Sequence, residues 1–192
     1  MTVNNKGYTA EESASRIDGF LRPMLKLAGF DLKCEIAPGA NTHPDFENPD
    51  IVVKFSGPDV DLLLENKAEL LLALEQLTME ALRMAQEDHS RICFDANDYR
   101  ALRIEELRMS AAAAAEKVRR TRVPFAFSPM NSRERRIVHL AMRNETDLRS
   151  ESAGFGPHRQ VVIYPADMPS APPPMERYSR PAERPRGGRP RR

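Results

Sequence analysis

Residues 129–143 read PMNSRERRIVHLAMR, and their spacing decides how the second half of the chain folds. Asn131 suits a helix N-cap, where a side-chain oxygen satisfies an N–H of the first turn, and Glu134 stands three residues on to complete a capping box. At about 100° per residue, Ile137, Val138, Leu140 and Ala141 cover one broad apolar arc. Arg135, Arg136, His139 and Arg143 fall on the opposite side, with Arg135 and His139, four apart, as stacked neighbours. Three guanidiniums and an imidazole on one exposed face suit phosphate, because the forks bind phosphate oxygens bidentately and the ring can donate or stack on a base. A polar helix face is most often merely solvated. Here the arc holds no acid, and His158 and Arg159, just before a strand, are placed to join it; Arg133, in the first turn, is counted with the set.

Working outward, the apolar periodicity and turn residues predict an α+β protein. Before the arginine-rich helix lie a helix from Asn97 or Asp98 to about Arg122 and a strand Val123–Phe127. The alanine run 111–115 in that helix reads as a strong helix former that allows close packing. After it come strands Leu148–Ser152 and Gln160–Tyr164 around the turn Gly154-Phe155-Gly156-Pro157, making an αβαββ unit. Upstream, a helix spans Tyr8 to Phe30, with Thr9 and Glu12 as a capping box, Gly29 as its stop and a kink expected at Pro23. Strands Leu32–Ala37 and Ile51–Phe55 follow, then one helical turn at Val60–Leu64. Past Glu65-Asn66-Lys67-Ala68 a helix is predicted to about Glu87, burying Leu70, Leu74, Leu77, Ala81, Leu82 and Ala85, and strand Arg91–Asp95 closes an αββααβ unit. Two domains, 9–95 and 96–166, are expected, and a proline- and arginine-rich tail, 167–192, whose composition cannot bury enough apolar surface to order it.

The 192 residues carry a formal net charge of only +1, which hides a strong asymmetry. Residues 1–95 hold nine basic and 17 acidic side chains, net −8; residues 96–166 are net +5 and residues 167–192 net +4. Such asymmetry points to a polyanion partner for the basic end. No run approaches the length of a membrane span, and the N-terminus lacks a basic-then-apolar signal, so a cytoplasmic protein is expected. Cys34 and Cys93 form no CxxC pair and read as reduced core thiols.

Arg135-x-x-x-His139 in the context PMNSRERRIVHLAM, followed by the strand QVVIYP, resembles the R-three-H domain of bacterial Jag-type proteins, named for an Arg and a His separated by three residues. Tyr99-Arg100 also matches that family's pattern. The upstream αββααβ order is similar to the type II KH domain that precedes the R-three-H domain there, and the resemblance covers about residues 9–165. It implies a cytosolic protein that binds single-stranded RNA or DNA, with Arg135 and His139 at the positions that name the domain. KH domains clamp a nucleic-acid backbone with a Gly-x-x-Gly loop. Here those positions are Glu65-Asn66-Lys67-Ala68, so a carboxylate and a methyl stand where phosphate meets bare backbone. With net −8 around it, the KH-like unit reads as a scaffold or an interaction surface.

No nucleophile elbow, phosphate-binding loop, dinucleotide fingerprint or metal-ligand spacing occurs, so no enzyme, cofactor or metal is expected. The candidate contacts are Arg133, Arg135, Arg136, His139, Arg143, His158 and Arg159, with Arg184, Arg186, Arg189, Arg191 and Arg192 of the tail adding a sequence-independent, salt-sensitive term. Phe125, Phe127 and Tyr164 are candidate stacking platforms, although aromatics on short strands are more often core. The competing expectation is an adaptor whose acidic half docks a protein partner or a second copy, with nucleic-acid binding weak or tail-driven.

Overall fold

The computed structural model describes residues 10–39 and 45–169. Thr9 of the expected cap and the tail arginines Arg184, Arg186, Arg189, Arg191 and Arg192 lie outside what it describes. Helix α1, Ala10–Ala28, continues through the exposed Pro23 as one helix. It ends where Gly29 adopts φ +78°, with Gly29 N–H donating to the Lys26 carbonyl (3.2 Å) and Phe30 N–H to the Leu25 carbonyl (3.0 Å). That pair of bonds is a Schellman stop, which needs a left-handed residue at this position.

Strands β1 (Lys33–Pro38), β2 (Ile51–Ser56) and β3 (Ile92–Ala96) form a sheet with β2 central, antiparallel to β1 and parallel to β3. Ile51, Val53 and Phe55 of β2 pack with Phe94 of β3, Ile17, Leu21 and Leu25 of α1, and Leu63, Leu71 and Leu74 of α2, Val60–Ala81. The Phe55 and Phe94 rings tilt against one another at 5.3 Å.

Helix α2 stops at Ala81 rather than near Glu87. Arg83 takes φ +54°, while the Arg83 and Met84 N–H groups donate to the Glu80 and Met79 carbonyls. This is the Schellman geometry again, with an arginine where glycine is usual, so the sequence carried no stop signal there. The buried stripe also differs. Leu71, Leu74, Glu75, Thr78 and Met79 face inward, and Leu77 is exposed. Inside α2, Glu65 is extended and Asn66, Lys67 and Ala68 have φ of +50°, +63° and +60°, a break where the sequence separates the short helical turn from the longer helix. Thr78 tolerates burial because its hydroxyl donates to the Leu74 carbonyl (2.8 Å).

Three successive left-handed residues without a glycine cost about 1–2 kcal/mol each, less for Asn. Lys67 is exposed and its carbonyl accepts from the Tyr99 hydroxyl (2.9 Å), a bond any residue there would keep, whereas the Ala68 methyl is fully buried. Lys67→Gly should therefore raise stability by about 0.5–1 kcal/mol. Ala68→Gly should gain less, because it also removes a buried methyl worth about 0.8 kcal/mol. Urea denaturation of both variants checks the order, and a loss of stability in Lys67→Gly would contradict it.

The second unit holds α3 (Tyr99–Thr121), β4 (Phe125–Ala126), α4 (Ser132–Met142), β5 (Leu148–Ala153) and β6 (Gln160–Pro165). Its sheet runs β4-β6-β5, antiparallel throughout. Ala111, Ala114 and Ala115 are buried with Ile104, Leu107 and Val118 of α3, against Ile137, Val138 and Met142 of α4 and Val161 and Ile163 of β6. The small side chains let α3 and α4 approach closely. Asp98, in the N-cap place of α3, makes no capping bond; Asp95 Oδ1 instead accepts from the Arg100 N–H (3.0 Å).

Candidate nucleic-acid interface

The capping box at the start of α4 forms as its sequence dictates. Asn131 Oδ1 accepts from Glu134 N–H (2.9 Å), and Glu134 Oε2 accepts from Asn131 N–H (3.1 Å). The other carboxylate oxygen, Oε1, accepts from Arg103 Nε (2.6 Å), which fixes the helix start to α3. One residue earlier, Met130 N–H donates to the Arg159 carbonyl (3.0 Å) and the Met130 carbonyl accepts from Arg135 Nη1 (2.9 Å). This backbone stitch sets Arg159 beside Arg135. Burial and the positive charge of Arg159 both hold the Arg135 guanidinium below the usual arginine range. Neither arginine has a carboxylate partner among the described residues. Two guanidiniums placed together without an acid form an anion site in need of a counter-charge.

His139 is half-buried one turn further along, with Nδ1 2.7 Å from Ser150 Oγ and Nε2 3.0 Å from Ser152 Oγ. Serine hydroxyls both donate and accept, so this bracket suits a neutral ring with one nitrogen protonated. Burial lowers its pKa, and the charges of Arg135 and Arg159 lower it further. Ser150 and Ser152 were not among the sequence candidates. Their signal was present in LRSESA, where i and i+2 on a strand share a face.

The remaining candidates separate. Arg136 is exposed and lines a groove with Glu75, Gln76 and His89, between α2 and α4. Arg143 is exposed at the other end of α4, in a cleft with Phe46, Arg108 and Glu145. His158 stands exposed in the short turn Gly156–His158. Arg133 does not join the set. Its guanidinium turns toward the first unit, with Nη2 3.3 Å from Glu75 Oε1 and Nε 3.6 Å from Glu47 Oε1. Arg133 thus belongs to a mostly buried ionic cluster with Arg100, whose Nη2 lies 2.5 Å from Glu75 Oε2, Nη1 3.7 Å from Glu47 Oε1 and Nε 2.9 Å from the Phe94 carbonyl. Burial opposes the charge of Arg100, yet Glu75 and Glu47 outweigh it and hold the guanidinium above the usual arginine range. Burial pushes the nearby Cys93 thiol up to about 11.

Phe127 and Tyr164 are core, with Arg149 over the Tyr164 ring at 4.7 Å; Phe125 packs edge-on to Phe127 at 5.1 Å and lies under Lys117. None offers a free platform. Among the described residues the aromatic that is exposed is Phe155, at the tip of the β5–β6 hairpin. Among the described residues no cluster of His, Cys, Asp and Glu is arranged to hold a metal ion, and no helix is long and apolar enough to cross a membrane.

The structure is that of an α+β protein, and within its second unit residues 105–165 match the R-three-H domain family. The chain is similar to the RNA-binding protein KhpB of Clostridium symbiosum, 33% identical over 111 residues, 58% of this chain and 50% of that protein. It is also similar to the RNA-binding proteins KhpB of Bacillus subtilis (32% over 110 residues, 56% of this chain and 53% of that one) and Lactiplantibacillus plantarum (28% over 129 residues, 67% and 40%). The resemblance to Jag-type proteins rests on these matches as well as on the motif. The chain spans about half the length of the curated relatives it matches.

Proposed function

We propose that this protein binds single-stranded nucleic acid, RNA in the first place, on the face where α4 meets the β5–β6 hairpin. The observation that carries this reading is the pair Arg135 and Arg159, without a carboxylate partner among the described residues, beside a serine-bracketed His139. A phosphate between the two guanidiniums removes their mutual repulsion and accepts charge-assisted bonds from both. Ser150 and Ser152 offer hydroxyls for sugar or base edges, oriented by His139. Arg136 and Arg143 hold neighbouring phosphates from either end of α4, and His158 extends the surface along the hairpin. The tail arginines Arg184, Arg186, Arg189, Arg191 and Arg192 add a salt-sensitive term. The similarity to proteins named RNA-binding supports the same reading. The first unit, with Glu65 and Ala68 in its central turn, serves as the scaffold.

The test is single-stranded RNA binding measured against salt with three full-length proteins: the native chain, Arg135→Ala/His139→Ala, and a chain with the five tail arginines changed to glutamine. Loss of affinity in the double variant, with the tail intact, supports the domain as the principal site. Loss confined to the tail variant would overturn it.

A further inference from the structure

We infer that Phe155 is a base-stacking residue, so that the site reads a base as well as a phosphate backbone; this rests on the nucleic-acid reading of the Arg135–His139–Arg159 face. Phe155 has more than half of its surface exposed (55%). An exposed phenylalanine on a flexible loop would carry no inference, but this one is held on a tightly specified turn. It sits between Gly154 and Gly156, with φ of +88° and +52°. A Cβ on Gly154 would lie 2.5 Å from the His158 carbonyl oxygen, so the hairpin closes only with glycine there. His158 N–H donates to the Phe155 carbonyl (3.1 Å) and Arg159 N–H to the Gly156 carbonyl (3.3 Å), with Pro157 fixing the short helical turn between them.

This turn belongs to the two strands that build the anion site. Ser152, hydrogen-bonded to His139, lies three residues before Phe155, with Gly154 turning the chain between them. Arg159, whose charge acts on both Arg135 and His139, lies four residues after it. Residues 152–160 contain no acid. A polyanion strand held at Arg135 and Arg159 therefore passes an aromatic ring with an open face. Base–aromatic stacking is the contact such a ring makes, and it tolerates any base because every base has a π face.

The native chain has no tryptophan, so Phe155→Trp creates a single fluorescent reporter at the proposed contact. Its emission should be quenched by a single-stranded oligouridine and not by an abasic strand of equal length. Phe155→Ala should weaken oligouridine binding roughly 5- to 150-fold and leave binding of the abasic strand unchanged. Phe155→Leu should behave like Phe155→Ala, since it keeps apolar bulk and loses the ring; circular dichroism confirms that each variant is folded. Oligouridine affinity unchanged in Phe155→Ala, while Arg135→Ala/His139→Ala loses binding, overturns the stacking role and leaves the phosphate site standing. Equal losses on both strands in Phe155→Ala also overturn it. If Arg135→Ala/His139→Ala binds both strands like the native chain, the phosphate reading fails, and a base-dependent loss in Phe155→Ala still supports stacking. No binding by the native chain overturns both.

Discussion

Glu75→Ala should destabilise the protein by about 3–5 kcal/mol, because it leaves a buried positive charge without its partner. Glu75 is 7% exposed, and its Oε2 accepts both from Arg100 Nη2 and from the Phe94 backbone N–H (2.8 Å). Removing the carboxylate leaves Arg100 with Glu47, at 3.7 Å, as its remaining carboxylate, and orphans the Phe94 N–H on the edge strand β3. Glu75→Gln should fall between, since the amide oxygen can still accept from Phe94 while the charge is gone. Glu47→Ala should cost less than either, because its carboxylate stands 3.6 and 3.7 Å from Arg133 and Arg100, beyond good hydrogen-bonding distance. Urea denaturation of the three variants measures the series. A loss below about 1 kcal/mol in Glu75→Ala would show that the cluster is hydrated and weakly coupled.

The same cluster explains why Arg133 and Arg135, two residues apart on one helix, have different roles. Successive helix positions two apart point about 200° away from each other. Arg133 therefore reaches the acids of the first unit while Arg135 reaches Arg159. The acidic first half is not simply repelled by what the basic half binds. Part of its charge, Glu47 and Glu75, neutralises arginines that would otherwise be buried at the contact between the units.

Most of the fold was legible because its signals are local. The capping box at Asn131–Glu134 and the stop at Gly29 each lie within a few residues and appear where the sequence put them, and the apolar arc of α4 keeps Ile137 and Val138 but buries Met142 in place of Leu140. What escaped depends on left-handed residues with no glycine to announce them. Arg83 ends α2 early, and the buried stripe runs through Leu71, Leu74 and Thr78. The site divides along the same line. Arg135 and His139 could be paired from a helical wheel, since both lie on one element. Ser150, Ser152 and Arg159 reach them through strand pairing and the Met130–Arg159 backbone bond, which are long-range and leave only the faint alternation of LRSESA behind. Arg133 is counted with the set from its place in the first turn, and the acids that hold it, Glu47 of a distant loop and Glu75 of α2, meet it only in three dimensions.

Arg135→Ala should weaken single-stranded RNA binding by about 1.5–3 kcal/mol, the worth of a hydrogen bond to a charged group, or roughly 10- to 150-fold. It should also lower the slope of log affinity against log salt by about one, as one phosphate contact is lost. The variant has a second consequence that a merely structural arginine would lack. In the native protein burial, Arg135 and Arg159 together hold the pKa of His139 below its ordinary value. A bound phosphate between the arginines offsets their charge and draws a proton onto the ring, so native affinity should tighten as pH falls below the ordinary histidine value of about 6.5 toward the depressed value of the free protein. Stability follows the opposite sign. A histidine whose folded pKa is depressed contributes fully above about pH 6.5, and that contribution is lost as pH falls through the folded value. Removing the Arg135 guanidinium lifts one of the causes, so His139 should titrate closer to its ordinary range in the free variant. Both the acid-side gain in affinity and the acid-side loss of stability should become shallower. Following the His139 ring protons by NMR across pH, free and bound, reads both effects in one residue. If the ring titrates at the same pH in the native chain and in Arg135→Ala, the two side chains are not electrostatically coupled, and their shared role in holding phosphate fails with that result.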